Sequence, residues 1–389
     1  MDLSAVRVLD FTHLLPGPYA TQLLRDMGAE VWKVERPGEG DPARAFGSGR
    51  SPDGHAALFD VLNRGKRSVT LDLKTDAGRR AFLDLAAEAD AVIEQFRPGV
   101  VDRLGVGYEE VRAVNEAVVY CSVAGYGQDG PYADRPGHDL NYAGLAGLLE
   151  MTRPDAEAAP VIPGFPVADM AGGLFAALSV VSALLSRELG AGGGEHLDVS
   201  LSDAALSLSQ LVAGPAVAGV DQRPGETVVT GKYPCYGVYE CADGRYLTLG
   251  ALEGKFWDAL CGAIDRPDLR GAHMAEDPDT CERVRDELES AFDQRPRERW
   301  VERLAEADVP AGPVLTVEEA FDDDHLRVRD VVGDVDGRLR RAAFPVESTD
   351  EPARTDAPAP ALGEHTDEIL RAVGYSDGRI ERLRADGVL

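Results

Sequence analysis

Two residues in this sequence stand where chemistry is easiest to build. His138 lies in Gly137-His138-Asp139-Leu140-Asn141-Tyr142, and Asp169 lies in Pro166-Val-Ala-Asp-Met-Ala-Gly-Gly173. Each comes at the start of an apolar run with helical character. An imidazole and a carboxylate can work as an acid–base pair on one carbon. Alternatively, the carboxylate alone can attack an activated carbonyl. The plainer roles are a capping Asp and a His that only caps or packs. A helix N-terminus favours a negative charge, so Asp169 is expected to stay ionised. The glycines Gly172 and Gly173 are expected to let a bulky substrate approach the backbone.

The elements that must position these residues can be read from the hydrophobic pattern. Strands are expected at 6–9, 30–34, 68–71, 91–94 and 118–122, with helices at 16–27, 76–87 and 108–114. Strands alternating with helices predict an α/β fold with parallel pairing. Apolar helices follow at 140–149 and 168–189, then a glycine-rich turn at 190–194, a short strand at 196–199 and a helix at 201–212. The Pro/Gly-rich stretch 213–230 reads as a linker. A smaller α+β domain is expected over 231–325, with a hairpin around Ala242-Asp-Gly244 and helices at 255–263, 280–292 and 296–305. The organisation is therefore a large domain at 1–212, the linker, the small domain, and a return segment at 326–389 that rejoins the large domain.

Composition narrows the classes of partner. The chain has 389 residues, too many for one ordinary core, and a formal net charge of −28. Its five lysines are Lys33, Lys66, Lys74, Lys232 and Lys255. An acidic, lysine-poor surface suits high salt, where self-repulsion is screened, and we expect a halophilic, cytoplasmic protein. The charge argues against nucleic acid or an anionic membrane as partner. No signal peptide and no apolar run of transmembrane length are read from the sequence. The five cysteines form no CxxC pair and read as buried hydrophobes. No metal is expected; the acidic run Asp322-Asp-Asp-His325 reads as a solvated loop.

A wider set of motifs carries a resemblance. In order, they are Leu9-Asp-Phe-Thr with Leu15-Pro-Gly-Pro18, Val34-Glu-Arg-Pro-Gly38, Asn63-Arg-Gly-Lys-Arg-Ser68, Leu71-Asp-Leu-Lys74, Arg97-Pro-Gly-Val100, the His138 hexapeptide, Asp169 with its two glycines, and Leu362-Gly-Glu-His-Thr-Asp367. Together they resemble the class III CoA-transferase (CaiB/BaiF) superfamily, which also contains 2-methylacyl-CoA racemases. The resemblance implies a Rossmann-like CoA-binding domain and an interlocked, ring-like homodimer. It also implies acyl-CoA and small carboxylic acids as substrates, with no cofactor beyond the CoA thioester itself. Arg36, Lys66, Arg67 and Arg97 are then expected near the CoA phosphates, a role that suits forked guanidinium groups. Leu71, Asp72, Leu73 and Lys74 would run past the adenosine, and Gly137, Asp139 and Tyr142 would line the CoA pocket.

The resemblance divides over the reaction. In transferases the residue matching Asp169 is a nucleophile that forms an aspartyl-CoA thioester. In racemases it shares an α-proton with the residue matching His138, and Glu253 matches an acid near that site. The hexapeptide favours a racemase. Against it stand the Met-free, aromatic-free stretch 201–220, which is poorly suited to a bulky acyl tail, and Lys232, placed to hold a second carboxylate. The reading favoured is a CoA-transferase acting on small, possibly dicarboxylic acids. A racemase is the alternative, and a non-catalytic CoA-binding paralogue is a third class.

Overall fold

A computed structural model describes residues 2–50, 54, 56–335, 339–349 and 357–389. The chain divides into two compact units. Unit 1 is Met1–Ala146, Gly164–Leu208 and Asp323–Leu389; unit 2 is Gly147–Pro163 and Ser209–Asp322.

Unit 1 begins as an alternating series: β1 (Arg7–Phe11), α1 (Pro16–Asp26), β2 (Glu30–Glu35), α2 (Ala57–Asn63), β3 (Arg67–Thr70), α3 (Asp76–Ala86) and β4 (Ala91–Glu94). There follow α4 (Val100–Leu104), α5 (Tyr108–Val114), β5 (Val119–Ala124), α6 (Asp139–Leu145), α7 (Val167–Glu188), β6 (Glu195–Ser200) and α8 (Leu201–Ser207). All six strands pair in parallel, in the order β3-β2-β1-β4-β5-β6. The order reverses between β1 and β4. In sheets of this kind, ligands sit beyond the carboxyl ends of the strands at that switch point.

The strands are apolar because both faces are covered. Leu9, Val34, Val69 and Val92 share one core with Phe82 and Leu85. The return segment completes that core. Helices α15 (Thr366–Ala372) and α16 (Asp377–Ala385) bury Ile369, Leu370, Ile380 and Leu383 in it. Residues 336–338 and 350–356, which fall inside the expected return segment, lie outside the described residues.

Unit 2 contains α9 (Gln210–Val217), β7 (Tyr236–Glu240), β8 (Tyr246–Gly250), α10 (Gly254–Ala263), α11 (Pro278–Phe292), α12 (Arg297–Glu306), β9 (Ala311–Pro313) and α13 (Val317–Asp322). Its antiparallel strands run β7-β8-β9. Their inward residues Tyr239, Leu247 and Leu249 pack with Trp257, Phe292 and Trp300. The chain re-enters unit 1 through α14 (Asp324–Val328) and the hairpin β10 (Val332–Val335) and β11 (Leu339–Ala342).

The sequence reading differs from this structure in several places. The helix expected at 140–149 ends at Leu145, where Gly147 turns left-handed with φ of 77°. Residues 147–163 then belong to unit 2 rather than to the large domain. The helix expected at 201–212 divides into α8 and α9, and α9 enters the presumed linker despite Pro215 within it. The apolar helix expected at 168–189 is present as α7, but no apolar run of transmembrane length was read there, and its 22 residues are long and apolar enough to cross a membrane by length and composition. Its small residues Ala168, Ala171, Ala176 and Ala177 are buried inside unit 1.

Candidate functional site

The loops after β1, β4 and β5 enclose a cavity of about 420 Å³ at the switch point. His13 and Leu14 come from the first loop and Gln95, Phe96 and Arg97 from the second. The third contributes Arg135, Gly137, His138 and Tyr142. A neighbouring cavity of about 630 Å³ is lined by Arg36, Glu39 and Asp41, and it shares His13 and Phe96 with the first.

Asp169 occupies the first turn of α7. The expectation that this helix end keeps it ionised is overturned. Asp139 takes the free amides instead: its Oδ1 accepts the N–H groups of Ala168 at 2.7 Å and Asp169 at 3.0 Å. Asp139 therefore performs the capping work across the gap between α6 and α7. Burial, and then the charge of Asp139, push Asp169 up to about 7. Its carboxylate thus ionises near neutral pH and, once ionised, is poorly solvated and reactive.

Tyr142 is packed beside this pair. Its phenol is pushed up to about 12 by burial and then by Asp169, while Arg97 pulls the other way. Arg97, Tyr142, Asp139 and Asp169 thus share one electrostatic neighbourhood. The Tyr142 ring fills the space over two glycines: a Cβ on Gly125 would meet it at 2.3 Å, and one on Gly137 at 2.6 Å. His138 is the exposed N-cap of α6, and its backbone N–H donates to Asn141 Oδ1 at 3.0 Å. Its imidazole borders the cavity.

The two glycines after Asp169 serve packing rather than substrate approach. A Cβ on Gly172 would come within 2.1 Å of Leu201, and one on Gly173 within 2.5 Å of the Pro16 carbonyl. They let α7 lie close to α8 and α1.

The structure separates the other expected site residues. Lys66 is corrected to an internal strut. Its buried ammonium donates to Asp10 Oδ2 (3.0 Å), Pro18 O (3.0 Å), Thr21 Oγ1 (2.7 Å) and Asn63 Oδ1 (3.0 Å). That saturates it and leaves nothing for a phosphate. Arg67 is paired with Glu30 and Glu368. The Leu71 and Leu73 side chains are in the core, so only their backbone is open to a ligand. Asp72 accepts the Lys74 N–H at 3.0 Å, and Lys74 is exposed. Arg36 is exposed and ion-paired with Glu39.

Lys232 and Glu253 lie in unit 2. Glu253 is the exposed N-cap of α10. Lys232 lies 2.8 Å from Glu276 and borders a cavity of about 1140 Å³ on the outer face of β7-β8-β9, with Tyr236, Thr248 and Arg285. Arg285 donates to the Gly231 carbonyl at 2.8 Å.

The family model for CoA-transferase family III matches residues 3–366. The chain belongs to this family. It is therefore an enzyme, a CoA-transferase of the CaiB/BaiF kind. A mouse (Mus musculus) succinyl-CoA:glutarate CoA-transferase is 31% identical over 399 residues, spanning 100% of this chain and 90% of the mouse protein. A succinyl-CoA:mesaconate CoA-transferase of Haloarcula marismortui is 34% identical, covering 99% of both chains. Among solved structures, a CaiB/BaiF family protein from Brucella suis superposes with a TM-score of 0.85 at 30% identity, covering 96% of this chain and 99% of that one. The similarity thus spans both units of the transferase, and CoA transfer to an organic acid is the activity it supports.

Reading the sequence of this family III transferase missed His13, Leu14, Gln95, Arg135 and Arg285. The signal for the first three was available, since they follow predicted strands β1 and β4. Only the strand order shows that those two strand ends are neighbours. The shifted carboxyl also predicts a pH profile. Turnover should rise with pH through about 7 as Asp169 ionises. Asp139→Asn keeps an oxygen for the helix amides but removes the like charge. It should move the rising limb down by roughly half to one pH unit, measured as kcat/KM against pH.

Proposed function

We propose that this transferase moves CoA between small dicarboxylic acids, with Asp169 as nucleophile. The observation that carries this reading is the Asp169 carboxylate itself. It is partly buried, and its own helix-end amides are occupied by Asp139. An Asp169 oxygen attacks the donor acyl-CoA carbonyl, giving a mixed anhydride and expelling CoA thiolate. The thiolate attacks the Asp169 carbonyl of that anhydride, releasing the donor acid and leaving an aspartyl-CoA thioester. The acceptor carboxylate attacks this thioester, expelling thiolate and forming a second anhydride. The thiolate then attacks the acceptor's carbonyl, giving the new acyl-CoA and free Asp169. Arg97 and the walls of the switch-point cavity hold the CoA portion, the site at which ligands bind in such sheets.

Two observations support a diacid. The relatives named above act on succinyl-CoA with glutarate or mesaconate, as their names state. The unit 2 cavity carries two cations, Lys232 and Arg285, and no acid among its lining residues, although the chain as a whole is strongly acidic. A carboxylate would find there the forked Arg285 donor and the Lys232 ammonium, the latter shared with Glu276. CoA exchange with a succinyl-CoA donor in high salt should accept glutarate-like diacids over acetate. Lys232→Ala and Arg285→Gln should each raise KM for the diacid by about tenfold, equivalent to 1.4 kcal/mol, and leave KM for a monoacid within about twofold. Equal effects on both acids would remove the cavity from the reading. His138 keeps the racemase alternative testable: rapid α-deuteration of an acyl-CoA in deuterated buffer without acceptor would favour it.

We also propose a homodimer, built on α7. Leu174, Leu178, Leu185 and Leu189 are each at least half exposed. Their spacing of four, seven and four residues puts them on one helix face. A sedimentation mass of one chain at micromolar concentration would refute it.

A further inference from the structure

The wall of the switch-point cavity formed by His13 and Leu14 is held by charged residues that do not themselves line that cavity. Leu14 has φ of 63°, a left-handed conformation that a branched side chain adopts only under constraint. The constraint is visible on both sides of the loop. Asp41 Oδ1 accepts the Leu14 N–H at 3.0 Å. Lys33 Nζ donates to the Thr12 carbonyl at 3.1 Å. The two clamps are joined to each other, with Lys33 Nζ 2.9 Å from Asp41 Oδ2 and side-chain exposures of 0% and 1%.

The clamp is itself anchored. Asp41 Oδ1 also accepts the Ala43 N–H at 2.8 Å, and the Asp41 N–H donates to Glu35 Oε2 at 2.9 Å. Glu35 is gripped by Arg44 through both oxygens, at 2.7 and 2.8 Å, and by Ser68 Oγ at 2.6 Å. Ser68 Oγ in turn accepts the Gly363 N–H at 2.8 Å, which ties the returning segment to the same cluster. On the far side, Thr12 N–H donates to Asp10 Oδ1 at 3.0 Å. A buried ion pair costs desolvation and is weak evidence for stability by itself. Here the pair's two hydrogen-bonding arms converge on one three-residue loop, and that loop borders both the 420 Å³ and the 630 Å³ cavities.

We infer that Lys33 and Asp41 are positioning residues, which hold Thr12–Leu14 in a strained conformation and so set the edge of the acyl-CoA cavity formed by His13 and Leu14. The cavity's ligand rests on the function proposed above; the clamp does not. Neither residue touches the reacting atoms. Their effect should fall on CoA binding rather than on the Asp169 chemistry.

The test compares Asp41→Ala, which removes the acceptor for Leu14, with Asp41→Asn, which keeps an oxygen there. A third variant, Asp41→Asn with Lys33→Met, removes both charges together, so that no buried charge is orphaned. Hydrogen exchange of the peptide covering Thr12–Leu15 is followed by mass spectrometry beside KM and kcat. Asp41→Ala should speed exchange of that peptide at least tenfold while peptides of α7 exchange as before. It should raise KM for acyl-CoA about tenfold, with kcat and KM for the acceptor acid within about threefold, and Asp41→Asn should recover most of both effects. Unchanged exchange at 12–15 in a folded Asp41→Ala protein would overturn the inference. So would exchange rising equally throughout unit 1, no recovery with Asp41→Asn, or a double variant, lacking the Lys33 arm on Thr12, that protects 12–15 as well as the unaltered protein does. If the unaltered protein turns over no acyl-CoA, the functional reading fails, while the exchange data still decide the clamp.

Discussion

Asp169→Ala will reduce CoA exchange by about 10⁴-fold or more, with donor and acceptor both saturating. Such a loss corresponds to at least about 5 kcal/mol of barrier. The reason is chemical. Without the side-chain oxygen there is no acceptor for the acyl group and no anhydride to receive the thiolate, and no neighbouring group substitutes. Asp139, the other carboxylate of the pair, spends one oxygen on two helix amides. Asp169→Asn should fall nearly as far, because a neutral amide is a poor nucleophile. Both variants should still bind CoA, and both should fold, since the capping of α7 belongs to Asp139. Two measurements check this. Steady-state exchange gives the rate, and mass spectrometry after borohydride or hydroxylamine trapping finds the adduct on the peptide containing Asp169. Trapping of no adduct there during turnover with donor and acceptor, or residual exchange above about 1% in the Ala variant, would refute the nucleophile.

Asp10→Asn will destabilise unit 1 by about 3–5 kcal/mol, the usual cost of breaking a buried charge cluster from one side. Asp10 lies at the end of β1, completely buried. It accepts hydrogen bonds from Thr12, Thr21 and Lys66, with Lys33 3.9 Å away. The variant leaves two enclosed ammonium groups with less negative charge to share. Burial acts to raise the Asp10 carboxyl, but Lys33 and Lys66 overcome it and lower the group from 3.8 to about 2. The sign follows. Between those values the unfolded chain binds more protons than the native one, so stability rises with pH across this window. The contribution is complete above about pH 4 and is lost as pH falls towards 2. Urea midpoints of the unaltered and Asp10→Asn proteins should therefore differ most near neutral pH and converge in acid. A constant difference down to pH 2 would show that the charge is not what Asp10 contributes.

The sequence supplied much of the site and less of its logic. The alternation of apolar segments was enough for the parallel sheet, because strands buried on both faces leave a pattern that survives any order of pairing. Asp169 and His138 were legible because each begins a helix after a turn-rich stretch. Lys66 was misplaced for an instructive reason. A Lys in a basic motif looks like a phosphate ligand until the tertiary fold sets Asp10, Thr21 and Asn63 around its ammonium. Gly172 and Gly173 look like room for a substrate until Leu201 and Pro16 are found against them.

By itself, then, the sequence determined the alternating α/β pattern, the strongly acidic surface, the family motifs and the presence of a carboxylate fit for acyl transfer. These depend on local periodicity, charge count and residue type, which need no long-range contact. The tertiary structure alone decided that β1 and β4 are neighbours, so that His13 and Arg97 face one cavity. It alone decided that Asp139 caps the helix of Asp169, 30 residues away, and that Lys33 and Lys66 are enclosed while Lys232 is not. Each of these depends on which distant segments share a low-dielectric space. That sharing fixes a group's solvation, its charge and its partners.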